Sequence, residues 1–539
     1  MSIDSITSGE TVELYFLPRE FFTAPNFIDR FATELQRFIK NIGVDDREDL
    51  KNSINAFYQM CHNLIQNKKD RTLAQQLFLE TFLQYASHYN SAETYQNIIK
   101  YYEESEFKAV LFSKFTFQAP YTYAAALFSF YQISKKEDGS NYNELTDYLL
   151  KAKHRLLGIY SQFIDGRVKL KEKEIGNCLS LLAAILGELS RWFEPIYYLE
   201  KLEKLKIYTP NMRYVSVLNM DSLRAKTCLN YNGLLLLKVF DDCNLILSDP
   251  NVMANQKEQI RTLKIKYRKD LRKNKLKITE LRKHQRDNAK EVNKHKGIVK
   301  YFVDNDLYLT EHAFYCKCKK ATIDNLSIKT SHSHTQSSWC DEQQKVLESV
   351  KTDFITARNN LYYSLDEVSL RSHLNGISKN AISIVDLKNS FLSLSFKTCY
   401  SILDKIGSEI FKALEIESIK SIKGKNIDIY FLNMWDLELI TDEHFDNNYY
   451  LVSLRSIAKD LNRSDYSALK GFKTIRNKLE HGSLKIIQNK SSIRSSDGDY
   501  YLKNDLIEKT LLLIILTKSA LFTFTYFLRR QSAIINGTE

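Results

Sequence analysis

One stretch limits what this chain can fold into. From Leu511 to Leu528 it reads Leu-Leu-Leu-Ile-Ile-Leu-Thr-Lys-Ser-Ala-Leu-Phe-Thr-Phe-Thr-Tyr-Phe-Leu. A helix of that length and character is long enough to cross a bilayer. Lys518, however, lies near its middle, and Thr517, Ser519, Thr523 and Thr525 interrupt it, with no second run like it in the chain. A charge at the centre of a bilayer is costly. The expected place is therefore the core of a helix bundle, shared with an interface between two copies of the chain. A helix that is apolar all round needs neighbours on every side, and the rest of the sequence has to provide them.

That rest is mostly helical in pattern. Only 6 Pro and 16 Gly occur in 539 residues, and hydrophobic residues make up 44%, which describes folded helices rather than a disordered polymer. The length calls for more than one core. Apolar residues recur at helical spacing over residues 29–42, 50–66, 73–88, 92–102, 119–133 and 142–164, giving an N-terminal helical domain over 1–165 without an exact repeat. Eight cysteines at irregular positions provide no disulfide framework and suit a reducing compartment. The first residues lack the basic and apolar regions of a secretion signal. A cytoplasmic location is expected, with no membrane partner.

The formal charge of +12 is unevenly placed. Residues 257–296 hold 16 Lys+Arg against 5 Asp+Glu, so nearly all of the surplus sits in this one stretch. It has no Pro or Gly and few apolar residues, and reads as a long exposed helix over 254–298 connecting two halves. Such a helix is an ordinary solvated connector or an arm that tracks phosphates. For the second role Arg268, Lys269, Arg272 and Lys273 are the candidate RNA-binding residues, since Lys and Arg supply most sequence-independent affinity for nucleic acid.

Between residues 299 and 345 comes an irregular linker with Cys316-x-Cys318, His332-x-His334 and Cys340. These are ligand types that zinc takes, but one intervening residue in each pair is tighter than the usual spacing. No metal and no cofactor is expected on that basis.

The second half carries the chemistry. Lys470-Gly471-Phe472-Lys473-Thr474-Ile475-Arg476-Asn477-Lys478-Leu479-Glu480-His481-Gly482-Ser483 reads as the last turns of an amphipathic helix starting near Asp465. Gly482 suits the left-handed residue just past a helix end. Asn477 and His481 share a face, as do Arg476 and Glu480. The bland reading is a surface ion pair plus a histidine favoured by the helix dipole. The sharper one is a cation, an amide and an imidazole gathered at one helix terminus, as chemistry on a phosphodiester requires.

Arg476, the polar Asn477 and, after three intervening residues, His481 resemble the motif of the HEPN superfamily, helical domains common in bacterial ribonucleases. Asn305-Asp306-Leu307-Tyr308-Leu309, Ser401-Ile402-Leu403-Asp404-Lys405-Ile406 and Ile429-Tyr430-Phe431-Leu432-Asn433-Met434-Trp435 resemble a branch of large bacterial proteins that join tetratricopeptide-like helices to such a domain. The similarity spans about residues 170 to 530. Asn177 to Ile196 itself resembles a tetratricopeptide repeat, with the turn at Leu189 to Arg191, which places TPR-like helix pairs over 166–253.

The expected fold class is therefore all-α: an N-terminal helical-repeat (TPR-like) region, then a HEPN-like helical bundle over 346–539. Its five helices are expected over 346–365, 387–414, 448–461, 465–481 and 505–532, with a small β-hairpin around Asp497-Gly498. The resemblance implies a metal-independent endoribonuclease of toxin or abortive-infection type, with a homodimer through the C-terminal domain making one shared site. Arg476, Asn477 and His481 would be catalytic, and Asp404 would orient Arg476. The helical repeats would hold a protein trigger or inhibitor. A non-catalytic dimeric scaffold and an RNA-binding regulator are the alternatives.

Overall fold

The computed structural model describes Gln76, Leu79, Leu83 and most of the chain from residue 92 to 535. Residues 104–116, 136–141, 165–167, 205, 208–209, 227–232, 251, 253, 274–277, 293, 329–337, 368–382, 417–429, 436–439, 441, 446–447, 463–468, 470, 483 and 489–499 lie outside the described set. The helices expected over 29–42, 50–66 and 73–88 fall largely or wholly outside it too. The fold is all-α, with two short strands among the described residues. It divides into two compact units, Met1–Leu181 and Leu182–Glu539.

In the first unit α1 (Ala92–Glu103), α2 (Gln118–Ser134) and α3 (Tyr142–Ile164) pack in sequence. Glu103 joins all three, accepting from the Tyr123 hydroxyl at 2.7 Å and from Lys151 Nζ at 2.9 Å. The boundary between the units falls within α4 (Glu172–Glu188).

The second unit begins with stacked helices. They are α5 (Phe193–Lys204), α6 (Pro210–Lys226), α7 (Gly233–Ser248), α8 (Ala254–Lys273) and α9 (Ile278–Val292). The turn from α4 to α5 lies where the tetratricopeptide-like pattern puts it. Ser190 adopts φ +58° and the Arg191 N–H donates to the Leu186 carbonyl at 2.8 Å, the six-to-one bond that closes a helix end.

The basic stretch is not one exposed connector. The described parts form α8 and α9, and both pack on α7. Ile260, Tyr267 and Leu271 make one buried stripe along α8, and this stripe is enough to seat the helix. Ion pairs and hydrogen bonds tie the basic stretch to the preceding helices. Asp221 takes Lys266 Nζ at 3.0 Å and the Tyr267 hydroxyl at 2.7 Å, Arg224 reaches Asp270 at 2.8 Å, and Asp241 holds Arg282 at 2.8 Å.

After α10 (Gly297–Asp304) and two 3-10 turns, Glu311–Phe314 and Lys319–Thr322, comes the C-terminal bundle. It consists of α11 (Ser338–Leu365), α12 (Ile384–Ala413), the short α13 (Asp442–Phe445), α14 (Tyr449–Leu461), α15 (Gly471–Glu480) and α16 (Lys503–Ile535). α11 pairs with α12, while α16 packs on α11, α12, α14 and α5. Asn448 caps α14, accepting from the Leu451 N–H.

Every residue from Leu513 to Leu528 is buried. Phe522 stacks on Phe193 with ring centres 4.6 Å apart and meets Phe314 at 4.9 Å, and Tyr526 faces Tyr450 at 6.3 Å. The threonine hydroxyls in and beside the run are satisfied inside it, whereas the buried Ser519 hydroxyl has no hydrogen-bond partner among the described residues. Thr510, Thr517, Thr523 and Thr525 donate to carbonyls four residues earlier. Helices of the same chain thus cover the apolar surface. Leu513 to Leu528 is therefore a core segment of its own chain, and its burial lends no support of its own to an interface between copies.

The strands also differ from expectation. β1 (Lys485–Ile487) and β2 (Tyr500–Leu502) do pair, but in parallel, with Lys485 opposite Tyr500 and Ile487 opposite Leu502. A tight turn joins only antiparallel strands, whereas a parallel pair needs a connection that travels back along the strand. Parallel pairing is not that of a β-hairpin, so the expected hairpin is corrected; Asp497-Gly498 itself lies outside the described residues.

One polar knot ties the tetratricopeptide-like turn to the bundle. Arg191 is 1% exposed. Its Nε donates to Glu194 Oε1 at 2.7 Å and its Nη1 to Ser456 Oγ at 3.1 Å, while Nη1 also pairs with the fully buried Asp460 carboxylate. Removing one member of such a group leaves the others charged in a dry place, at a cost of about 3–5 kcal/mol. Arg191→Ala should accordingly lower the denaturant midpoint, with a loss of unfolding free energy of about 3–5 kcal/mol. An unchanged midpoint would mean that the knot contributes nothing.

Candidate active site at the end of helix α15

Phe472, Ile475 and Leu479 are the buried residues of α15, spaced three and four apart. This face seats the helix on α12, with the Phe472 and Phe396 rings 5.7 Å apart. The opposite side then points outward, and the helix ends as its sequence implies. The His481 N–H donates to the Asn477 carbonyl at 3.1 Å, and Gly482 takes φ +65°. A side chain at that φ is strained, so glycine fits the position. His481 is exposed just beyond the last turn, with Asn477 half-buried one turn before it.

Arg476 is half-buried and engaged. Its Nε lies 2.9 Å from Glu480 Oε1, but the N–H does not point along a hydrogen-bonding direction, so the contact is charge attraction. The Arg476–Glu480 pair of the bland reading thus exists. The guanidinium also lies 6.0 Å from the centre of the Tyr400 ring. Tyr400 is buried and its hydroxyl has no hydrogen-bond partner among the described residues. Burial raises its pKa, with the Arg476 charge opposing, so the ring acts as a neutral wall against the cation.

Asp404 stands one turn after Tyr400 on α12. Burial pushes its carboxyl up, while the Arg476 charge and a hydrogen bond from the Phe431 N–H, at 3.3 Å, pull it down. Asp404 therefore faces the Arg476 field, and the oxygen contact made to Arg476 comes from Glu480. Sequence reasoning missed Tyr400; its signal was the four-residue spacing that puts Tyr400 and Asp404 on one face of α12.

Gly407 allows the Phe431 backbone to come this close. A Cβ there would lie 2.8 Å from Phe431 Cα and 2.9 Å from its N. Among the basic candidates, Arg268, Lys269, Arg272 and Lys273 are all exposed, on the side of α8 opposite Ile260, Tyr267 and Leu271. They form a cationic strip on a seated helix.

Comparison with known families agrees with the C-terminal architecture. Residues 335–531 match the family model of LA2681-like HEPN domains, so this stretch is a HEPN-superfamily domain. HEPN domains are often RNases, and the family suggests a nuclease or RNA-related role. The tetratricopeptide-like helices lie outside the match. Neither the curated proteins nor the solved structures provide a match to the chain.

Replacing Gly407 tests how the site is supported. Gly407→Ala forces the Phe431 segment away from α12, and overpacking of this kind costs about 1–3 kcal/mol. The variant should melt lower than the parent. Equal stability would show that the close approach is dispensable.

Proposed function

We propose that the HEPN domain is an endoribonuclease whose reaction is transesterification by the 2′-hydroxyl of RNA. The observation that carries this reading is the placement of Arg476, Asn477 and His481 at one exposed helix end of a HEPN domain. RNA brings its own nucleophile. The 2′-oxygen attacks phosphorus, the bond to the 5′-oxygen breaks, and a 2′,3′-cyclic phosphate and a 5′-hydroxyl result. The enzyme has to remove one proton, deliver one proton and hold the charge on the phosphorane. An imidazole near neutral pH can do either proton transfer. A guanidinium offers a planar fork to phosphate oxygens. Asn477 orients the phosphate or the imidazole, and Asp404 contributes its field to Arg476. No step in this scheme calls for a metal, and DNA lacks the nucleophile.

One chain has one His481, while the attacking and leaving oxygens lie on opposite sides of phosphorus. Two copies of α15 facing each other across a two-fold axis would supply both imidazoles, and a two-fold interface is the commonest oligomeric contact. The proposal of a homodimer rests on this chemistry, since α16 is covered within its own chain. The cationic strip on α8 would add salt-dependent affinity for RNA rather than rate. The helical repeats would hold a protein trigger or restraint, and cleavage of cellular RNA would make the protein a toxin acting in the cytoplasm during abortive infection.

A second reading has its own observation. The Arg476–Glu480 contact is what a non-catalytic dimeric scaffold would keep at a helix surface. The two readings part on a single experiment. In the catalytic reading, Arg476→Ala and His481→Ala melt like the parent, because neither truncation opens a core cavity. Each should slow RNA cleavage by about 100-fold or more, the scale of lost acid–base help, and the parent's products should end in 2′,3′-cyclic phosphate. Undiminished cleavage by the His481→Ala protein would exclude the assignment.

A further inference from the structure

A second cluster of reactive side chains lies away from α15. His284 comes from α9, His312 from the 3-10 turn Glu311–Phe314, Cys316 from the turn that follows, and Cys318 from the residue capping Lys319–Thr322. One ligand atom from each lies within 4.8 Å of all the others. His312 Nε2 is 3.1 Å from Cys318 Sγ, and His284 Nε2 is 3.7 Å from Cys316 Sγ. We propose that these four side chains bind a zinc ion in a closed, structural Cys2His2 site.

The distances suit that ion. Zinc holds sulfur at about 2.3 Å and imidazole nitrogen at about 2.0–2.1 Å, so the edges of its tetrahedron run from about 3.3 to 3.8 Å. The two measured edges lie close to that range, and the 4.8 Å limit on the others leaves only a small contraction. Two thiolates and two neutral imidazoles balance the charge of a divalent ion, which suits a place where both cysteines are buried. The mixture of thiolate and imidazole in a tetrahedral set is the donor pattern of zinc rather than of magnesium or calcium.

The backbone around the ligands is fixed independently. Thr310 caps the first 3-10 turn by accepting from the His312 N–H, and the Cys316 N–H donates to the His312 carbonyl at 3.1 Å. The Lys319 N–H reaches Glu291 at 3.3 Å and the His295 ring meets the Lys317 carbonyl at 3.4 Å, both across to the end of α9. Phe314, between the ligands in sequence, packs on Phe193 and Phe522. The ion therefore fastens the basic helix α9 to a segment anchored on α16, which a weakly apolar helix like α9 cannot secure by burial alone.

This revises the expectation of no metal. Cys316 and Cys318 are drawn from the set noted in the sequence, but His284 and His312 take the other two positions. Cys340 is buried on α11 outside the cluster, while His332 and His334 lie outside the described residues.

The test is metal analysis of the full chain, purified with reductant from zinc-supplemented medium, beside Cys316→Ser/Cys318→Ser and Cys340→Ser forms. The expected result is one zinc per chain in the parent and in Cys340→Ser, and none in the double variant. Because the double variant can fail to fold, the parent is also stripped and reloaded with cobalt(II), whose visible spectrum should show tetrahedral coordination with thiolate charge transfer. A parent without zinc and without that spectrum overturns the site, as does a folded double variant that keeps its zinc, or a parent that carries copper instead.

Discussion

An ammonium group inside an apolar helix has to be met by oxygen, and Lys518 is met twice by one residue. Its Nζ lies 2.6 Å from the Asp306 carbonyl and 2.9 Å from the Asp306 carboxylate, with the Phe314 and Phe522 rings both at 5.6 Å. Asp306 can offer both oxygens because it sits at φ +53° in the turn closing α10. Burial still pulls the Lys518 pKa below its ordinary value, with Asp306 opposing, so the pair offsets only part of the desolvation. The geometry demands a unique register between α16 and the turn after α10. Around that register the aromatic contacts of α5 and α14 and the pairing of Tyr526 and Arg529 with Glu311 fall into place. A helix that could have been taken for a membrane span is thereby committed to a protein core.

The same commitment positions the candidate site. α16 supports α12, α12 supports α15, and the buried Phe472, Ile475 and Leu479 leave the outer side of α15 to Arg476, Asn477 and His481. The candidate residues thus stand on, or directly at the end of, a helix anchored in the core, where positions are held better than on loops. Glu480 and Tyr400 hold Arg476 from two sides, while His481 stands exposed past the helix end. A held cation beside an accessible imidazole is a useful division of labour for a phosphodiester: the charge is placed in advance, and the proton carrier meets the substrate.

What the sequence made legible was what short-range periodicity encodes. Helices α11, α12, α14 and α16 follow from apolar spacing, with ends within a few residues of expectation for three of them and an earlier start for α11, and Gly482 marked the end of α15 correctly. What depends on distant partners was not legible. The basic stretch looked unsupported because Asp221 and Asp241, which neutralise parts of it, belong to α6 and α7. The parallel pairing of β1 and β2 was hidden by a turn-like Asp497-Gly498 between them. The partners of Cys316 and Cys318 were sought nearby, in His332 and His334, whereas one of the histidines in the cluster comes from the preceding helix α9.

The central claim is that an RNA-cleaving site is assembled from two HEPN domains, and subunit mixing tests it most directly. Wild-type chains are equilibrated with increasing amounts of an Arg476→Ala/His481→Ala chain, and RNA cleavage is measured at constant total protein. A shared site predicts that activity falls faster than the wild-type fraction, since each mixed pair has lost half of its machinery. Activity strictly proportional to the wild-type fraction, from protein that light scattering shows to be monomeric, would contradict the account.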